Sequence, residues 1–254
     1  HERGVQILGD MPIYVSCDSS DVWANKQFFM LTEEGYASQM GGVPPDQFAA
    51  EGQLWGNPTY NRVILIEHDY EWWIDRLRRM FELYDDVRID HFIGFKSYYA
   101  IPAGLTAADG TWLPGPSLTF FQNAYRKLGK LPVIAEDLGI ITPEVVRLMN
   151  DTGFPGMDVI QFSDGDARYD WRPKPNKIVF TGTHDTQTLL GWVKERFGLQ
   201  GEQALEQARD FRRKAMECEA DVIMFPLQDV LELDNDARMN VPGTAGENWA
   251  WRAN

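Results

Sequence analysis

The stretch Asp86-Val87-Arg88-Ile89-Asp90-His91-Phe92 decides how the chain reads. Val87 and Ile89 alternate with charged residues, the pattern of a short strand with a buried face. Such a strand delivers Arg88, Asp90 and His91 to its carboxyl end, where Gly94 relaxes the backbone. A carboxylate between an arginine and a histidine costs free energy if it loses water, so its presence there calls for a function. Two later segments repeat the arrangement. Val133-Ile134-Ala135 runs into Glu136-Asp137, and Ile178-Val179-Phe180 leads to His184-Asp185. We expect Asp90, Glu136 and Asp185 to meet in one cleft.

Working outward, strand candidates lie near Ile7, Ile89, Ile134, Ile160, Val179 and Ile223, the first over Val5–Leu8. Helical periodicity fills the intervals. In Tyr70–Tyr84, Trp73, Ile74, Leu77, Met80, Phe81 and Tyr84 share a face, while Arg76, Arg78 and Arg79 are expected to point mostly outward. Further helices are expected over Phe120–Leu128, Thr186–Phe197 and Gln203–Glu219, and Thr142-Pro143-Glu144 starts another with a Thr N-cap and Pro at the first helical position. Alternating strands and helices predict an α/β class with a parallel sheet, here a TIM (β/α)8 barrel with loop insertions and about six of its eight strands. Acids at the carboxyl ends of its strands would then share one mouth. The chain is read as a single catalytic domain over 1–254. Within it, residues 16–62 lack a long helical period and form a substrate-covering loop region or small subdomain. The segment after the Val87 strand, with Pro102, Gly104, Gly110 and Pro114, also reads as a loop.

The totals narrow the function. With 254 residues and 44% apolar content the chain can bury a sizeable core. A formal net charge of −14 argues against a nucleic-acid partner. The basic run Arg212-Arg213-Lys214 reads as a solvated helix face. No apolar run approaches a membrane span, so no membrane partner is expected. The two cysteines, Cys17 and Cys218, lack metal spacing and suit a reducing compartment, hence a cytoplasmic location. The chain starts at His1 without a Met, and His-Glu-Arg-Gly reads as a helix tail; we expect the true amino terminus upstream.

Paired carboxylates at a cleft suit glycosyl transfer, one attacking the anomeric carbon and the other donating a proton to the leaving oxygen. Arg88 would lower the pKa of Asp90 or orient it. Glu136, beside Asp137 at an apolar strand end, suits the protonated partner. Asp185 could steady the transition state, and His91 and His184 could donate to the same sugar. Any one acid at a strand end is more readily a helix cap or an arginine's partner; three together, two with a histidine alongside, point to a site. A metal hydrolase is the competing reading, but the four histidines form no His-x-His or His-Glu-x-x-His, and neither metal nor cofactor is expected. Phosphate-loop, dinucleotide and nucleophile-elbow motifs are missing from the sequence. The aromatic segment from Met40-Gly41-Gly42-Val43-Pro44-Pro45-Asp46 to Leu54-Trp55-Gly56-Asn57-Pro58 fits either a stiff sugar-stacking loop or a structural excursion pinned by Trp55.

These stretches together resemble the amylomaltases, the 4-α-glucanotransferases of glycoside hydrolase family 77. The likeness runs through Gly9-Asp10-Met11-Pro12, Gly42-Val43-Pro44-Pro45-Asp46, Trp55-Gly56-Asn57-Pro58, Arg88-Ile89-Asp90-His91-Phe92, Ala135-Glu136-Asp137-Leu138-Gly139, Thr181-Gly182-Thr183-His184-Asp185 and Pro226-Leu227-Gln228-Asp229, and on to Trp249-Ala250-Trp251-Arg252. It implies a retaining transferase that passes α-1,4-glucan segments between malto-oligosaccharides, starch or glycogen-derived glucans, without metal or cofactor. By motif, Asp90 is similar to the family nucleophile, Glu136 to its acid/base and Asp185 to its transition-state stabiliser. Arg88 and His184 match the donor subsite, Asp46 and Trp55 the loop over the acceptor side, and Asp10 the early strand-end acid. The family carries its first barrel strands and an inserted subdomain ahead of the position of His1, so this chain alone is expected to have open sheet edges and impaired activity. A hydrolytic α-amylase-like enzyme and a non-catalytic glucan-binding fragment are the alternatives.

Overall fold

The computed structural model of the 254-residue chain describes residues 1–45, 50–162, 176–244 and 246–253. The chain divides into two compact units, His1–Pro155 and Gly156–Asn254. Among the described residues no helix is long and apolar enough to cross a membrane.

In the first unit the strands and helices follow the order β1 (Leu8–Met11), α1 (Ser20–Ala24), β2 (Gln39–Val43), β3 (Gln53–Pro58), α2 (Arg62–Glu67), α3 (Glu71–Leu83), β4 (Asp86–Ile89), β5 (Ser97–Pro102), β6 (Thr111–Pro114), α4 (Ser117–Leu128), β7 (Val133–Ala135) and α5 (Pro143–Thr152). Strands β1, β4 and β7 form a parallel sheet with β4 central. Val87 and Ile89 are fully buried, as the alternation in that stretch requires. The first strand begins later than expected, at Leu8, because its partner begins at Asp86 and Leu8 pairs with it. Val5 and Ile7 stay exposed outside the ladder. Helices α3 and α4 cover the sheet with an aromatic core. Trp73 lies edge-on to Phe95 at 5.1 Å, and Phe95 stacks on Phe120 at 5.3 Å. Thr142 caps α5 by accepting from the Val145 N–H, with Pro143 next, as its sequence signals.

Two expectations for this unit are corrected. Arg76 does not point outward. Its guanidinium lies over the Trp72 and Trp73 rings at 5.5 and 5.0 Å and donates to the Pro12 carbonyl at 2.7 Å. The segment around residue 100, read as a loop, and that around residue 40, read as part of a loop region or small subdomain, are strands of one antiparallel sheet ordered β3-β2-β5-β6. Gly42 makes this possible, since a Cβ there would sit 2.1 Å from the Gln53 carbonyl oxygen.

The second unit runs β8 (Gly156–Val159), β9 (Lys177–Phe180), α6 (Leu189–Phe197), α7 (Gly201–Glu217), β10 (Ile223–Met224) and α8 (Leu227–Val230). Its three strands are parallel with β9 central. Ile160, Val179, Leu189, Val193 and Phe211 form its core. The basic run on α7 is not wholly solvated. Arg212 donates to the Asp229 carbonyl at 2.7 Å and to Glu232 at 2.9 Å, fastening α7 to the segment around α8.

Candidate active site

In the first unit the parallel ladder decides the geometry. Met11, Ile89 and Ala135 end three strands in register, and the ladder continues one step further. The Asp90 N–H donates to the Met11 carbonyl and the Glu136 N–H to the Ile89 carbonyl, both at 3.0 Å. Asp90 and Glu136 thus leave the sheet at the same end, on neighbouring strands about 4.8 Å apart.

Arg88 precedes Asp90 by two residues and faces the same side. Its fork grips two acids, Nη1 to Asp10 Oδ1 at 2.7 Å and Nη2 to Asp90 Oδ1 at 2.8 Å. The Arg88 side chain is only 10% exposed, whereas those of Asp10 and Asp90 are 46% and 40% exposed. Burial works against the guanidinium charge, but Asp10 and Asp90 outweigh it and raise its pKa. The arginine is therefore a fixed cation beneath two solvent-open carboxylates.

Glu136 is the opposite case, 7% exposed. Burial first, and the Asp90 charge second, push its carboxyl up to about 7, against the pull of Arg88 and two backbone N–H groups. Those groups belong to Leu138, donating to Oε1 at 2.9 Å, and His91, donating to Oε2 at 2.7 Å. The acid that raises Glu136 here is the cross-strand Asp90. His91 reaches Glu136 with a left-handed backbone, φ 53°, which histidine tolerates better than most residues. Its ring packs edge-on to Trp55 at 4.9 Å, and its Nε2 is buried. Burial draws the ring pKa down to about 4, so it is neutral at pH 7. Trp55 comes from β3, and its indole N–H donates to Gln53 at 3.0 Å.

In the second unit His184 and Asp185 sit on the loop between β9 and α6, with His184 Nε2 3.4 Å from Asp185 Oδ2. The Asp185 carboxylate accepts from the Asn240 side-chain amide at 2.6 Å, and its backbone carbonyl accepts from Arg238 at 2.7 Å. The Trp249 ring lies 5.3 Å from that of His184. Sequence reading singled out none of Arg238, Asn240 or Trp249 as site residues. Their signal was the likeness of the tail to the family, through Ala237-Arg238-Met239-Asn240 and Trp249-Ala250-Trp251-Arg252.

The structure therefore brings Asp10, Trp55, Arg88, Asp90, His91 and Glu136 together in one unit and places His184 beside Asp185 in the other. Asp46 lies outside the described residues. A buried glutamate with a pKa of about 7, one strand from an open, arginine-held aspartate on an α/β frame, has the layout that two-carboxylate chemistry on glycosidic bonds requires.

Comparison with known proteins narrows the class. A family model described as 4-alpha-glucanotransferase, glycoside hydrolase family 77, matches residues 1–254, and the chain belongs to that family. The 4-alpha-glucanotransferase of Streptococcus pneumoniae is 44% identical over 99% of this chain and 53% of its own length. That of Synechocystis is 45% identical with the same coverage. The chloroplastic/amyloplastic enzyme of Arabidopsis thaliana is 40% identical over 98% of this chain and 46% of its own. The amylomaltase of Streptococcus agalactiae, solved in complex with acarbose, superimposes with a TM-score of 0.90 at 38% identity, covering all of this chain and 54% of that one. The chain spans about half the length of the relatives it matches.

Proposed function

We propose that the chain carries the catalytic residues of a 4-α-glucanotransferase acting by retaining double displacement. The observation that carries this reading is the contrast between Glu136, buried with a pKa of about 7, and the solvent-open Asp90 on the next strand. Asp90 attacks the anomeric carbon of an α-1,4-glucan while Glu136 gives its proton to the departing glycosidic oxygen. Glu136, now ionised, takes the proton of an acceptor sugar hydroxyl, whose oxygen displaces Asp90 and restores the α linkage. A carboxyl near pH 7 suits both halves of this cycle. Asp185 is assigned to stabilising the cationic transition state, and Asp10, Asp46, Trp55, Arg88, His91 and His184 to binding the sugar.

Malto-oligosaccharides and starch- or glycogen-derived glucans are the proposed substrates, in line with the acarbose complex of the streptococcal relative. A (β/α)8 barrel forming one catalytic domain and a cytoplasmic location belong to the same proposal; family membership supports the first. The test is maltotriose turnover by the full-length gene product and its Glu136→Gln variant. Glucose plus longer oligomers are expected from the wild type, and a loss on the order of 10³-fold or more from the variant. Full activity in the variant would refute the acid/base assignment, and shorter sugars alone would make the enzyme a hydrolase.

A further inference from the structure

The buried carboxylate of Asp229 takes no part in the chemistry described above, and its partners show what it holds. It is 4% exposed, in α8. Its Oδ2 accepts from the Thr181 hydroxyl at 2.7 Å, and its Oδ1 accepts from the Leu189 N–H at 2.7 Å. Thr181 directly follows β9, and Leu189 is the first residue of α6. One carboxylate therefore bridges the two feet of the loop that carries His184 and Asp185.

The chemistry of the grip suits a carboxylate. Two donors converge, a hydroxyl and a backbone N–H, and an ionised carboxylate is the side chain that offers two acceptor oxygens and no donor. Leu189 also supplies one of the orphan N–H groups of a helix start, where negative charge is favoured. Ties from the same unit reinforce the feet. The Gln161 amide donates to the carbonyls of Thr181 at 3.0 Å and Gln187 at 2.9 Å, and Asn235 accepts from the Thr188 N–H at 3.2 Å. Inside the loop, the Thr183 N–H donates to Thr186 Oγ1 and the Asp185 N–H to Thr183 Oγ1. Hydrogen bonds within the loop therefore link its feet to Asp185.

Building on the transferase reading, we propose that Asp229 is a positioning residue for Asp185, clamping Thr181 to Leu189 so that the loop presents Asp185 in one conformation. It touches no reacting atom. Asp229→Ala in the full-length protein should lower kcat by about 10- to 100-fold with KM changed by less than about threefold, the scale of a misplaced catalytic group. Added to Asp185→Asn it should cost no more than about twofold further, because both changes act on one unit. Asp229→Asn keeps an acceptor for Leu189 and lets the Thr181 hydroxyl turn to accept, so it should restore most of the activity.

A folded Asp229→Ala enzyme with wild-type kcat, or losses that multiply in the double variant, would overturn the proposal. If Asp229→Ala does not fold, Thr181→Val deletes one donor alone and should still lower kcat several-fold; an unchanged kcat overturns the idea equally. Hydrogen exchange separates this proposal from the functional reading. Even in an enzyme without transfer activity, the Thr183 and Asp185 amides should lose protection in Asp229→Ala or Thr181→Val while α7 keeps its own, and unchanged protection would sink the clamp.

Discussion

The strand ends at Asp90 and Glu136 and the loop at His184 and Asp185 hold their acids in different ways. At the strand ends the backbone ladder does the placing, since register fixes both residues and a single arginine orients Asp90. In the loop no ladder reaches the tip. Side chains remote in sequence, Gln161, Asp229, Asn235, Arg238 and Asn240, hold it by hydrogen bonds. The first arrangement is local and inherits the rigidity of the sheet. The second distributes its precision over residues that touch no substrate, so distant substitutions should damage it more readily.

The sharpest way to break the contrast is at Arg88. Replacing it by Met removes the cation beneath Asp10 and Asp90, and maltotriose turnover should fall on the order of 10³-fold. A loss of less than tenfold would mean that the ladder alone positions Asp90.

Stability against pH probes Glu136 next. Glu136 binds its proton more tightly folded than unfolded, so its contribution to stability is complete below the ordinary value of 4.5 and is lost as the pH rises through about 7. Denaturant titrations at pH 5 and pH 8.5 should show the wild type losing on the order of 3 kcal/mol more than Glu136→Gln over that interval. Parallel curves would remove burial as the cause.

Smaller effects are expected from the loop and the aromatic sheet. Asn240→Ala deletes one tie to Asp185 and should lower kcat about tenfold, with the pH dependence set by Glu136 unchanged. Trp55→Ala should shift the ratio of transfer to hydrolysis by about two- to fivefold, through loss of shielding of the glycosyl-enzyme. Reducing ends and glucose measured together would report it, and an unchanged ratio would assign Trp55 to packing against His91.

This ordering follows what was legible in the sequence. Val87 and Ile89 announced the central strand because a half-buried strand writes its burial as a two-residue period. Asp90 and Glu136 followed from position alone. The antiparallel sheet was hidden because it pairs Gln39 with Pro102, far along the chain, and relies on Gly41 and Gly42, which read locally as loop. Arg76 was misread because charge dominates any periodicity argument, whereas its stem and fork found two tryptophan faces and a carbonyl. For Glu136 the burial was legible in its apolar strand end, but the second cause of its shift was not: a sequence shows Asp137 as the neighbour, and only the sheet shows Asp90. The ties of the loop were the least legible, since hydrogen bonds between remote polar side chains leave no period.

Site-resolved titration of the Glu136 carboxyl by carbon-13 NMR, in the wild type and in Asp90→Asn, tests the pairing of the two acids most directly. A midpoint near 7 is expected in the wild type, falling toward the ordinary carboxylate range when the Asp90 charge is removed. A wild-type midpoint near 4.5, or one that ignores Asp90→Asn, would contradict that pairing.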